Sequence, residues 1–110
     1  MRVALIQMSV TADKEKNIAA ACQYIRQAAE HGADMAVLPE MFCCPYDNGC
    51  FRAYGEEAGG PAQTALSKAA AELGLYVVGG SLPELEGGCV YNTSYVYGRR
   101  GELLAKHRKV

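Results

Sequence analysis

Glu40, Lys109 and the five cysteines are the side chains of this sequence whose types and positions suit catalysis. Glu40 follows the apolar run "MAVLP" directly and precedes Met41 and Phe42. An acid in that setting has two readings. It is a solvated loop acid behind a strand-ending proline, or it is a general base in an apolar pocket. In the second case Met41 and Phe42 desolvate it and raise its pKa toward the working range. Lys109, in "KHRKV", also has two readings. It is the tip of an edge strand, where lysines discourage edge-to-edge association, or it is an inward-facing cation. Strand alternation groups Lys109 with His107 and Ala105, opposite Lys106 and Arg108, so one of these sets faces inward.

The cysteines are Cys22, Cys43, Cys44, Cys50 and Cys89. Cys43, Cys44 and Cys50 are close in sequence, but there is no CxxC pair and the histidines are remote, so no metal site is expected. Cys22 falls on the apolar face of a helix and reads as core. Cys89 has no visible base beside it. Cys43 and Cys44 follow Glu40 so directly that an opposed thiol–carboxylate geometry is hard to build. "VVGGS" lacks both the GxGxxG pattern and the Lys–Ser/Thr pair of a phosphate loop. Asn92, in "YNTS", reads as a group that satisfies backbone where a hairpin begins.

The elements that must hold these residues follow from periodicity. "RVALIQMSV" is apolar at both parities, Val3 and Leu5 on one side and Ala4, Ile6 and Met8 on the other, as in a strand covered on both faces. Residues 11–34 carry a cap at Thr11 or Asp13, acidic Glu15 in the first turn, and apolar residues at helical spacing from Ile18 to Ala29. Gly32 stops that helix. "MAVLP" is a second strand, and residues 43–60 read as a loop. A second helix starts at Pro61 and ends at Gly74. "LYVVGGSL" is a third strand, "PELEGG" a turn-rich linker, and "YNTSYVYGRRGELLAKHRKV" a hairpin closed by "GRRG".

The order is βαβαβ followed by a ββ hairpin, an α/β class. Crossovers make strands one to three parallel. The hairpin reverses direction twice, so strand five runs parallel to them. Glu40 and Lys109 therefore lie at the same carboxyl edge of the sheet, where open α/β folds place their sites. Right-handed crossovers put both helices on one face, which leaves the other face of apolar strands uncovered.

The chain has 110 residues, 50% hydrophobic and 21% charged, with a net charge of -1. This fits one globular domain. Apart from the short cluster "KHRK" it offers no polyanion-binding surface, and no stretch reaches the length of a membrane span. An odd cysteine count without a recognisable export signal points to reduced thiols in a cytoplasm.

The segments "VALIQM", "NIAAACQYIRQAAEHGADMAVLPEMF", "YVVGGSLPE", "VYNTSYVY" and "GELLAKHRKV" resemble, in order, the amino-terminal part of the nitrilase superfamily of carbon–nitrogen hydrolases. "CPYDNGCFRAYGEEAGGP" and "LLAKHRKV" are most similar to the omega-amidase branch. The resemblance implies the amino-terminal half of an αββα sandwich and a Glu–Lys–Cys triad that hydrolyses a small amide to carboxylate and ammonia through a thioester. On it, Glu40 is the general base and Lys109 stabilises the oxyanion. None of the five cysteines matches the family's nucleophile motif. Residues 1–110 are then expected to be one incomplete hydrolase domain, inactive alone, whose uncovered face a second sheet closes. Tyr46, in the loop after Glu40, is a candidate for the pocket wall. No cofactor, nucleic acid or membrane is expected. The expected partners are a small-molecule amide and, for the full-length form, further copies of the chain. The alternative is a non-catalytic α/β binding or interaction module that dimerises through its sheet.

Overall fold

The computed structural model describes residues 1–109. It contains β1 (Val3–Leu5), α1 (Lys14–Glu30), β2 (Met35–Val37), α2 (Asn48–Tyr54), α3 (Pro61–Leu73), β3 (Tyr76–Glu86), β4 (Cys89–Tyr97) and β5 (Leu103–Arg108). The strands form one sheet in the order β1-β2-β3-β4-β5. β1, β2 and β3 are parallel, and β4 and β5 add antiparallel neighbours in turn. The arrangement is the expected βαβαβ unit plus hairpin, with α1 and α3 packed on one face. No helix among the described residues is long and apolar enough to cross a membrane.

Local chemistry explains where the helices start. Asp13 caps α1 by accepting from the Lys16 amide. Asn17 is buried inside that helix because its amide holds the preceding loop: it accepts from the Thr11 amide at 2.8 Å and donates to the Thr11 carbonyl at 2.8 Å. α3 begins at Gly60, which has no side chain to cap with. Glu56 supplies the missing acceptor. Its carboxylate takes the Ala62 amide at 2.7 Å and the Gln63 amide at 3.2 Å, and Lys14 pairs with it at 2.8 Å. A buried anion at a helix amino terminus is favoured by the helix dipole and by the free amides there.

The core lies between the helices and one sheet face. Ile25 and Ala21 of α1, Leu66 and Ala70 of α3, and Ala36, Val77, Tyr95 and Tyr97 of the sheet are buried together. Ala4, Ile6 and Met8 lean on the same cluster, whereas Val3 and Leu5 are 46% and 78% exposed on the other face. The register sets Leu5, Val37, Val78, Val96 and Ala105 side by side across all the strands on that open face.

Three elements differ from the sequence reading. Residues 43–60 are not all loop: Asp47 accepts from the Gly49 amide and starts the short helix α2. "PELE" is not a linker but the outer half of β3, which turns only at Gly87 and Gly88. Its alternation was hidden because Pro83 and two acids fill the run; the acids are tolerated because cations from β5 meet them. Cys22 is half-buried between α1 and α3 rather than in the core.

β3 also carries a bulge. Gly79 pairs with Tyr95 and Leu82 with Thr93, so Gly80 and Ser81 together oppose Ser94. An extra residue resets the alternation, and both Gly80 and Ser81 face the open side. Gly80 is required here. A Cβ on it would stand 2.0 Å from the Pro39 carbonyl oxygen and 2.4 Å from that of Leu38. Gly80→Ala is therefore expected to force the segment after β2 away from β3 and to cost about 1–3 kcal/mol, as overpacking does. Urea denaturation checks this; an unchanged midpoint would show that residues 38–39 are free to move.

Candidate functional site

Glu40 sits just beyond β2 in a turn whose geometry is unusual. Met41, next to it, has φ of 52°, the left-handed region that a bulky residue rarely adopts. Buried contacts hold it there. The Met41 amide donates to Ser81 Oγ at 3.0 Å and the Phe42 amide to the Ser81 carbonyl at 3.3 Å, while both side chains are buried. The turn thus drives Met41 and Phe42 inward and leaves the Glu40 carboxylate on the open face.

Lys109 arrives there from the far end of the sheet. Its amide donates to the Asn92 carbonyl at 2.8 Å, which continues the β4–β5 ladder one residue past β5. Its ammonium is hydrogen-bonded to Glu40 Oε2. Asn92 Nδ2 donates to the same oxygen at 2.9 Å. Residues 69 apart in sequence thus form an ion pair beside the bulge of β3. Glu40, Lys109, Asn92, Ser81, Ser94, Gly80 and His107 line a cleft of about 270 Å³.

The electrostatics correct one expectation. Met41 and Phe42 do not desolvate Glu40. Its side chain is 37% exposed, and the Lys109 ammonium, then the Asn92 amide, hold its carboxyl below the usual carboxylate range. The Lys109 pKa moves upward for the reciprocal reason. Glu40 is a carboxylate at neutral pH and Lys109 an ammonium. The cleft therefore offers a proton acceptor and a fixed cation side by side, a pair suited to deprotonating a nucleophile and neutralising a developing oxyanion.

Tyr46 does not belong to the lining. It is 70% exposed and meets Phe51 edge-on, with ring centroids 5.6 Å apart. No cysteine lines the cleft among the described residues. Cys43 and Cys44 are buried, and burial pushes their thiols up to about 12 and about 11, so neither is a thiolate at neutral pH.

The sequence presents Asn92 as a backbone partner; its side chain instead serves Glu40. Ser81 and the bulge were missed as well. Their signal was the Gly–Gly pair inside a strand, which marks bulges and close backbone approach.

On the helix-facing side of the same strands a second acid is fixed. Glu84 takes Arg108 in two parallel bonds, Nε at 2.9 Å and Nη2 at 3.1 Å, together with Thr93 Oγ1 at 2.7 Å and the Lys106 ammonium. Arg108 also binds Glu86 and lies 4.0 Å over the Tyr91 ring. Alternation thus sends Lys106 and Arg108 to Glu84 and His107 and Lys109 to the cleft. The Arg108 guanidinium pulls the Glu84 pKa from 4.5 down to about 2. Because the folded value lies below the ordinary one, this stabilisation is present above pH 4.5 and lost as pH falls toward about 2. Stability should therefore drop through that window, and Glu84→Gln should flatten the drop. Denaturant melts at stepped pH measure it; an equal slope in the variant would remove Glu84 as the cause.

Residues 2–110 match the family model described as carbon–nitrogen hydrolase. The chain is 44% identical over 109 residues to Omega-amidase NIT2 of Mus musculus, covering 99% of this chain and 40% of that protein. It is 45% identical over 113 residues to the chloroplastic omega-amidase of Arabidopsis thaliana, covering 98% of this chain and 31% of that one. It superimposes on Saccharomyces cerevisiae Nit3, a member of branch 10 of the nitrilase superfamily, with a TM-score of 0.90 at 36% identity, over 98% of this chain and 43% of that one. On an amidase from Nesterenkonia sp. the TM-score is 0.77 at 26% identity, over 100% and 43%. The chain thus spans less than half the length of these relatives.

Proposed function

The chain belongs to the carbon–nitrogen hydrolases of the nitrilase superfamily, and we propose that residues 1–110 are the acid–lysine half of an omega-amidase-type active site. The observation that carries this reading is the Glu40–Lys109 pair in the open-face cleft. The fold is the amino-terminal half of the αββα sandwich. The proposed substrate is a small amide, a monoamide of a short dicarboxylic acid by analogy with the omega-amidases, and the bond cleaved is a non-peptide C–N bond.

In this reading the nucleophile is a cysteine other than the five in residues 1–110. Glu40 takes its proton, and the thiolate sulfur attacks the amide carbonyl carbon. The carbonyl oxygen becomes an oxyanion beside the Lys109 ammonium. The C–N bond breaks, and Glu40 returns the proton to the departing ammonia. Water, deprotonated by Glu40, then attacks the thioester; the thiol leaves with that proton, and the product acid gives its remaining proton to the released ammonia and departs as the carboxylate. A fixed ammonium contributes most where water is excluded. We therefore assign the open face, with its Leu5–Val37–Val78–Val96–Ala105 row, to the second sheet of the sandwich. The whole domain is proposed to act as a cytoplasmic homo-oligomer with reduced cysteines.

Two experiments test this. The 110-residue chain alone should release no ammonia from succinamate above background; turnover abolished by Glu40→Gln would mean that one of its own cysteines is the nucleophile. In a protein that joins this segment to the rest of such a domain, Glu40→Gln and Lys109→Ala should each lower kcat/KM by about a hundredfold or more, as loss of a general base or an oxyanion donor does. A folded variant with near wild-type turnover would remove that residue from the mechanism.

A further inference from the structure

We propose that Asn92 is the positioning residue of this site: its amide and Lys109 together occupy Glu40 Oε2 and leave Oε1 as the one oxygen that exchanges the proton. The proposal rests on the reading of Glu40 as the base. Its geometry is independent of that reading.

Asn92 holds both members of the pair. Its side-chain Nδ2 donates to Glu40 Oε2 at 2.9 Å, and its backbone carbonyl accepts the Lys109 amide at 2.8 Å. The orientation of the amide is fixed by chemistry. An ionised carboxylate only accepts, so the NH2 end of Asn92 must face Glu40. The other end is then turned away, and Asn92 Oδ1 is buried without a partner. A buried acceptor left unbonded is unfavourable. The structure accepts it because the donor end is committed to Glu40, which is not the pattern of a residue that merely satisfies the hairpin backbone.

Two donors on one carboxylate oxygen have a chemical consequence. Oε2 carries the Lys109 and Asn92 bonds, whereas Oε1 has no hydrogen-bond partner among the described residues. A proton arriving at Oε2 would displace one of two charge-stabilising donors; at Oε1 it displaces neither. The Asn92 amide also stabilises the ionised form of Glu40, after Lys109 in weight. The other groups lining the cleft that carry or change charge are Lys109 and His107. Both remain when Asn92 is changed, and so does its backbone carbonyl.

The test reads Glu40 directly. In the intact protein with carbon-13-labelled glutamate carboxyls, the Glu40 signal is assigned by its loss in Glu40→Gln and titrated in wild type, Asn92→Ala and Asn92→Asp. The expected order of Glu40 pKa is wild type lowest, then Asn92→Ala, then Asn92→Asp, which replaces a donor by a second carboxylate. The acid limb of the kcat/KM profile should move upward in the same order. If Asn92→Ala does not fold, Asn92→Ser takes its place. An unchanged Glu40 titration in a folded variant overturns the proposal, even where the melting temperature falls, because a purely structural role changes stability alone. A Glu40 titration that moves while the kcat/KM limb stays put supports the hydrogen bond and overturns Glu40 as the base.

Discussion

The site depends on a backbone contact that only glycine permits. The carbonyls of Leu38 and Pro39 lie where any side chain at position 80 would be. That contact brings the segment after β2 down onto β3 at its bulge. There Ser81 binds the Met41 and Phe42 amides and stabilises a left-handed Met41. A non-glycine residue held in that region costs on the order of 1–3 kcal/mol, and such strain persists only where the surroundings over-determine it. Here they do: one amide bond to the Ser81 hydroxyl, one to its carbonyl, and two fully buried side chains fix the turn. The result is a carboxylate whose direction is set by its neighbours' burial rather than by its own packing.

Two acids with opposite fates draw their partners from neighbouring positions of β4 and of the end of β5. Glu84 faces the helices, is 3% exposed, and is saturated by a bidentate arginine, a lysine and a threonine. With its acceptor sites filled, it is poorly suited to proton exchange. Glu40 faces the open cleft with one oxygen bonded twice and the other unbonded. The strands' period of two decides between them. Thr93 serves Glu84 and Asn92 serves Glu40; Arg108 serves Glu84 and Lys109 serves Glu40. The Glu84 cluster therefore also sets the phase of β5. With Arg108 clamped to the helix side, the next residue has to present its side chain to the cleft.

What could be read from sequence divides along the same line. Strand direction, the two long helices and their common face follow from periodicity and from the handedness of crossovers, and so does the shared edge of Glu40 and Lys109. The outer half of β3 could not be read that way. "PELE" looks like a turn because Pro and two acids are poor strand formers, and the cations that make Glu84 tolerable come from β5, more than twenty residues away. α2 was hidden by its brevity within a Gly-, Cys- and Tyr-rich run. The rise expected in the Glu40 pKa came from treating adjacency in sequence as adjacency in space. The left-handed turn at Met41 sends the two apolar neighbours into the core and the acid the other way.

A depressed pKa is at first sight a poor property for a base, since it weakens proton affinity. In an ion pair the two effects are linked. The ammonium that lowers the Glu40 pKa also guarantees that the carboxylate is ionised, and it is the same ammonium that a developing oxyanion would meet. Both groups are now partly hydrated, Lys109 at 61% exposure. When another layer covers the open face, loss of that water penalises the separated charges and moves the Glu40 pKa upward, against the Lys109 contribution. A nearby oxyanion would then compete with Glu40 for Lys109, and as the ammonium turned toward it the carboxylate would become more basic, at the stage when it holds the proton. On the proposed mechanism the basicity of Glu40 would follow where Lys109 points, and the Asn92 bond would keep the carboxylate in place while that partner changed.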